Sequence, residues 1–230
     1  MLENTLRINE IYKSIQGEST HTGRLCTFIR LTGCNLRCTY CDTAYAFHEG
    51  QNMSIDAIFT EVKRLNVPLI ELTGGEPLIQ RDTPLLAGLL INSGYEVLIE
   101  TGGSLDIGVL PPQVKKIMDI KGPRSKESHR FFLPNLSKLS RQDEIKFIVH
   151  DREEYEWSKN FILSEKLLSR CTVLLSPVVA ISHPVETRES DRPHSLNPKD
   201  LAEWIIQDNL PVRMQYQMHK IIWDPDKRGV

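Results

Sequence analysis

The sequence predicts an α/β fold, a single-domain partial (open) TIM-like β/α barrel built on a curved, mainly parallel sheet. Three observations point there. Short apolar runs recur along the chain and, from Leu69 onward, start roughly 20–30 residues apart, the size of a β-α repeat. Helical periodicity fills the intervals. The chain has 230 residues, whereas a closed eight-stranded barrel usually takes about 250.

Thr27–Leu31 is the first apolar run and leads straight into a cysteine-rich loop. Leu69–Thr73, Glu96–Thr101, Lys116–Ile120, Glu144–Val149 and Thr172–Ser176 follow as strands. Ser54 is placed to cap a helix whose apolar stripe is Ile55, Ile58, Val62 and Leu65. Asp82 or Thr83 caps the next, with Pro84 in its first turn, Leu85, Leu86, Leu89 and Leu90 turned inward, and Gly94 ending it. Asn197-Pro198 opens a helix with Leu201, Trp204 and Ile205 on one side. The stretches 122–142 and 178–198 read as loops. Alternating strands and helices imply right-handed crossovers and a parallel sheet. With no internal repeat, low-complexity tract or break in composition, residues 1–230 read as one domain.

Composition bounds the function. Twenty-eight basic residues stand against 30 acidic ones, a balance that argues against a nucleic-acid-binding face. No apolar stretch approaches the length of a bilayer span, and the opening MLENTLRINEIY lacks a secretory pattern. A cytoplasmic protein with no membrane partner is expected. Thiols stay reduced there, so clustered cysteines point to metal binding or catalysis rather than disulfides. Cys26 and Cys171 lie in apolar contexts and read as small buried hydrophobes.

The remaining cysteines form Cys34-Asn-Leu-Arg-Cys38-Thr-Tyr-Cys41, a C-x3-C-x2-C spacing with no fourth cysteine nearby. Three thiolates on one loop can hold three irons of a cubic [4Fe–4S] cluster and leave the fourth open. Closed zinc sites take four protein ligands, and electron-transfer clusters usually take four thiolates. From spacing alone, zinc completed by Cys26 or His48 stays open as an alternative, as does a four-ligand iron–sulfur electron-transfer or binding module. Ligands in such folds collect at the carboxyl ends of strands. The cysteine loop, Thr73-Gly74-Gly75-Glu76-Pro77, Glu100-Thr101-Gly102-Gly103 and Asp119-Ile120-Lys121 all fall there.

The cysteine spacing, with Tyr40 before Cys41, and the Gly74-Gly75-Glu76-Pro77 turn resemble the radical S-adenosylmethionine enzymes. Tyr12-Lys-Ser-Ile15-Gln16-Gly17-Glu18, Phe28-Ile-Arg30-Leu-Thr-Gly-Cys34, Cys41-Asp42-Thr43 and the ending Gln217-Met-His219-Lys…Arg228-Gly-Val230 are similar, within that superfamily, to the 7-carboxy-7-deazaguanine synthase family. The resemblance runs from about residue 8 to the last one. It implies a lyase of queuosine and deazapurine biosynthesis that contracts 6-carboxy-5,6,7,8-tetrahydropterin to 7-carboxy-7-deazaguanine and releases ammonia. The implied cofactors are a [4Fe–4S] cluster, S-adenosylmethionine and Mg²⁺.

By the same resemblance, Cys34, Cys38 and Cys41 ligate the cluster and Thr43 is the protein ligand of Mg²⁺. S-adenosylmethionine is held by Tyr40, Cys41, Asp42, Gly75, Asp119, Ile120, Lys121 and Ser176, with glycine at 75 letting the backbone approach the methionine amino group. Ile15, Gln16, Gly17, Arg30, Thr73 and the carboxylate of Val230 hold the substrate, Arg30 through its carboxylate. Two departures stand out: Ser19 replaces a glycine common in the family, and Asp119-Ile120 replaces a Ser-Pro before Lys121. No side-chain acid or base is assigned, with Glu18 and Glu100 candidates by position alone. A flavodoxin- or ferredoxin-type reductant and a homodimer are implied partners. The nearest competing reading is a glycyl-radical activating enzyme, which leaves Arg30 and the C-terminal motif without a role.

Overall fold

The computed structural model describes residues 4–180 and 194–230. Nine strands of the described residues form one sheet in the order β3-β1-β2-β4-β5-β6-β7-β8-β9. They are β1 (Thr5–Ile15), β2 (Leu25–Leu31), β3 (Gln51–Ser54), β4 (Leu69–Gly74), β5 (Glu96–Thr101), β6 (Lys115–Asp119), β7 (Glu144–Val149), β8 (Thr172–Pro177) and β9 (Arg213–Met214). From β2 to β9 every pairing is parallel. The parallel, open sheet expected from the alternating pattern is what forms.

The six strands read from the sequence appear within two residues of their expected ends. An antiparallel edge was not anticipated: β1 pairs antiparallel with both β2 and β3. A register shift between Ile8 and Glu10 interrupts the alternation of β1, so a period-two reading does not run through it. The expected helices form as α1 (Ile55–Leu65), α2 (Thr83–Asn92) and α4 (Pro198–Gln207), and α3 (Arg152–Ser164) and the single turn α5 (His219–Ile222) join them. Ser54 caps α1, its side chain accepting from the Ala57 N–H at 3.2 Å. Asp82 sits at the N-cap of α2 without a side-chain bond, and Leu85 turns to solvent rather than inward. Residues 123–138 hold three 3-10 turns where loop was expected. Most of the expected loop 178–198 lies outside the described residues.

Strand alternation sorts side chains onto two faces. On one, Ile29, Leu31, Ile70, Leu72, Val97 and Ile99 pack beneath α1 and α2, and Ile145, Phe147, Val173 and Leu175 pack with Tyr155 and Ile162 of α3 and Leu201 of α4. The other face has an apolar floor of Cys26, Phe28, Leu69, Leu98 and Ile117. One step toward the carboxyl ends, the same strands carry Arg30, Glu71, Thr73, Glu100 and Asp119, which line a cavity together with Lys146 of β7. Cys26 and Cys171 are buried apolar fillers, as their contexts suggested.

Candidate active site

The cavity has a volume of about 340 Å³ and is walled by the cysteine loop, the carboxyl ends of the strands and the C-terminal segment. Cys34, Cys38 and Cys41 all line it as free thiols. Burial raises all three pKa values, that of Cys38 to about 12, so the protein alone keeps them as thiols. Among the described residues no three His, Cys, Asp or Glu side chains converge tightly enough to hold a single metal ion. A cubic cluster spreads its thiolates over separate irons.

Gly75 meets this loop directly. A Cβ there would overlap the Gly33 carbonyl and come 2.7 Å from the Cys34 Cβ. The glycine is therefore required by packing of the two loops, a reason that differs from the expected close approach to a ligand. Glu76, buried, accepts from the Leu78 and Gly102 N–H groups at 3.1 and 2.8 Å and from the Thr101 hydroxyl at 2.9 Å. These bonds tie the Gly-Gly-Glu-Pro turn to the end of β5.

The lining also includes Ile15, Gln16, Gly17, Arg30, Thr73 and Val230. Arg30 does not stand alone. Its Nε donates to Glu10 at 2.7 Å and Nη2 to the Tyr12 hydroxyl at 3.0 Å, while Tyr45 donates to the same Glu10 oxygen at 3.0 Å. A protein ion pair thus accounts for its burial, and among the described residues Nη1 of the guanidinium has no hydrogen-bond partner. Gly17 admits the C-terminal segment: a Cβ would come 2.9 Å from the His219 backbone N, and the Met218 N–H donates to the Gly17 carbonyl at 2.9 Å. Lys220 anchors that segment to Asp42 at 2.6 Å. Arg228 stacks 3.7 Å above the Tyr45 ring and pairs with Glu49 at 2.8 Å. Ser19, in place of the family's glycine, sits at φ +64°, the left-handed region that favours glycine, with its hydroxyl accepting from the His21 N–H at 3.0 Å.

Lys146, 4% exposed, lines the same cavity. Its ammonium reaches Glu18 at 2.7 Å and Asp119 at 3.4 Å, and also pairs with Glu100. Burial opposes its charge, but Glu100, Glu18 and Asp119 outweigh burial and hold it protonated. Glu18 is likewise driven down to about 2, Lys146 and His219 overcoming its burial. Sequence reasoning missed Lys146, Glu71 and Glu10. The available signal for Glu71 and Lys146 was a charge flanked by apolar residues within a strand, as in Leu-Ile-Glu71-Leu and Ile-Lys146-Phe.

Among the anticipated cofactor residues, Tyr40, Cys41, Asp42, Gly75, Asp119 and Lys121 reach the cavity. Ile120 does not: strand parity turns it into the outer core beside Met118, so only its backbone is available. Ser176 is fully buried off the lining, its hydroxyl without a partner. Asp119 Oδ1 and the Tyr40 hydroxyl are also buried and unpartnered. Thr43 precedes a 3-10 turn without capping it through its side chain, and its hydroxyl lies 3.8 Å from the Cys41 sulfur.

Comparison with known proteins places the chain in a family. Residues 28–124 match the model of the Radical SAM superfamily. A 7-carboxy-7-deazaguanine synthase from Koribacter versatilis is 45% identical over 98% of this chain and 100% of its own length. The chain belongs to the 7-carboxy-7-deazaguanine synthase family. A second member, from Chlorobaculum tepidum, is 40% identical over 99% of both chains. The crystal structure of QueE from Escherichia coli shares the fold with a TM-score of 0.72 at 21% identity, covering 94% of this chain and 95% of that one.

Membership in this radical S-adenosylmethionine family brings a [4Fe–4S] cluster and S-adenosylmethionine as cofactors. The residues fit them. Three free thiols face the cavity, and an Asp119 carboxylate oxygen with no partner among the described residues lies beside Lys121, whose ammonium is 3.0 Å from the other oxygen. A buried acceptor with no donor is costly until a ligand supplies one.

Proposed function

We propose that the chain, working as a single domain, converts 6-carboxy-5,6,7,8-tetrahydropterin to 7-carboxy-7-deazaguanine with release of ammonia. One observation carries this reading: the cysteine thiols and the side chains expected to hold a carboxylated pterin line the same cavity. Cys34, Cys38 and Cys41 hold the cluster. Tyr40, Asp42, Gly75, Asp119 and Lys121 hold S-adenosylmethionine. When bound, the pair supplies the carbon radical that removes a substrate hydrogen.

The protein's share is positioning and shielding. Arg30, aimed by Glu10 and Tyr12, offers its free Nη1 to the substrate carboxylate. Ile15, Gln16, Gly17 and Thr73 contact the heterocycle, and the C-terminal segment ending in Val230 closes the far side. Thr43, its hydroxyl not used as a cap, is the protein ligand of Mg²⁺, an ion that commonly keeps few protein ligands. Lys146 pairs with Glu18, Glu100 and Asp119 in the cavity lining and holds Glu18 ionised. A soluble reductant of the flavodoxin or ferredoxin kind supplies the electron, and two chains pair as a homodimer. No helix of the described residues is long and apolar enough to cross a membrane.

The test is anaerobic reconstitution of the cluster followed by incubation with the carboxytetrahydropterin, Mg²⁺ and catalytic S-adenosylmethionine. The deazaguanine product is expected. An intact cluster without product rejects the reading. Thr43→Ala should weaken the response to Mg²⁺, and an unchanged titration rejects that ligand.

A further inference from the structure

Glu71 is a carboxyl in an odd place. It is 3% exposed on β4, lines the cavity and takes no part in the Lys146 ion pairs, which go to Glu18, Glu100 and Asp119. Its partner is Gln16, whose side-chain amide nitrogen donates to Glu71 Oε2. The other end of the same amide is also fixed, since Gln16 Oε1 accepts the Glu18 N–H at 2.9 Å.

These two bonds decide which way the amide points. A backbone N–H can only donate, so the atom facing Glu18 N must be the carbonyl oxygen. The amide nitrogen must then face Glu71, which serves as the acceptor. One N–H of Gln16 remains after that bond. Were Glu71 apolar, the amide would be held at one end only and one further donor would be left buried without a partner, which is costly.

We propose that Glu71 is a positioning residue for substrate: it holds the Gln16 amide so that an N–H is directed to an acceptor on the bound heterocycle. This role rests on the pterin reading above. Burial, then the negative charges of Glu100 and Glu18, hold the Glu71 pKa well above the ordinary carboxylate value. The carboxyl therefore enters as a neutral acid and adds no repulsion toward an anionic substrate. Its carbonyl oxygen suffices as acceptor, which an amide of the same shape can supply.

The test measures equilibrium binding of the carboxytetrahydropterin by calorimetry to cluster-loaded protein, with no reductant so that nothing turns over. Glu71→Leu should weaken binding by about tenfold, the scale of one lost hydrogen bond with its donor left orphaned. Glu71→Gln should recover most of that loss. In a Gln16→Ala background, Glu71→Leu should cost nothing further, because the group it positions is gone. Additive losses, or wild-type affinity in Glu71→Leu, overturn the role. Glu71→Ala provides the same comparison should the leucine variant fail to fold, judged by far-ultraviolet circular dichroism. Absence of pterin binding by the wild type overturns the proposed function and this role together, whereas wild-type binding with unaffected variants overturns the role alone.

Discussion

Along β4, Ile70 and Leu72 turn into the layer covered by helices, whereas Glu71 and Thr73 on alternate positions turn into the cavity. The same division recurs on β7, where Ile145 and Phe147 join the outer core and Lys146 joins the ion cluster. One set of strands thus supports two interiors under different rules. The outer one is stabilised by apolar area, which is additive and tolerant of shape. The inner one holds buried charges whose cost is met only when every partner is present. The helix-covered face makes the fold, and the cavity face carries its stability cost.

The largest expected effect breaks the inner rule. Lys146→Met strips the cation from half-buried Glu18 and Glu100 and from buried Asp119, and chemical denaturation should show a loss of about 3–5 kcal/mol. Equal stability would mean the cluster is solvated. On the outer face Leu72→Ala should cost about 2–5 kcal/mol from lost burial and the cavity left behind. Its substrate KM should stay at the wild-type value, and a raised KM would show the two faces to be coupled.

Acidity separates the faces further. Glu18 titrates near 2 when folded against 4.5 as its ordinary value, so its stabilisation is complete above about pH 5 and is lost as pH falls through about 2. Glu71, raised by burial, has the opposite sign: it is uncharged when folded, and stability falls as pH rises above its ordinary value of 4.5. Thermal unfolding of Glu71→Leu should show less loss than wild type between pH 6 and 9, and parallel curves would contradict the neutral carboxyl. The smallest effect belongs to neither face. Ser54→Ala removes the cap of α1 and should cost about 1 kcal/mol by urea denaturation with activity untouched.

Much of this was legible in the sequence. Thr27–Leu31 and Glu144–Val149 read as strands because short runs rich in β-branched and aromatic residues stand out even where Arg30 and Lys146 interrupt them. Ser54 and Gly94 marked helix ends because capping chemistry is local. Strand β1 was missed because its register shift scrambles the alternation, and Leu85 was misplaced because it lies at the edge of the helical arc whose buried centre is Leu86 and Leu90. At the site, the cysteine spacing and the Gly-Gly-Glu-Pro turn announced themselves, being short and contiguous. Glu10 gave no such signal, since only a pairing across β1 and β2 brings it to Arg30.

The sequence by itself determined the layered α/β plan and the open set of three thiols, because periodicity, caps and closely spaced ligands act over a few residues. Only the tertiary structure decided that Arg30 is held by Glu10, that Lys146 gathers Glu18, Glu100 and Asp119, and that Gly75 answers to the cysteine loop. Those partners lie on different strands or loops. Their charges and contours acquire meaning only once parallel pairing brings the carboxyl ends of the strands to one rim.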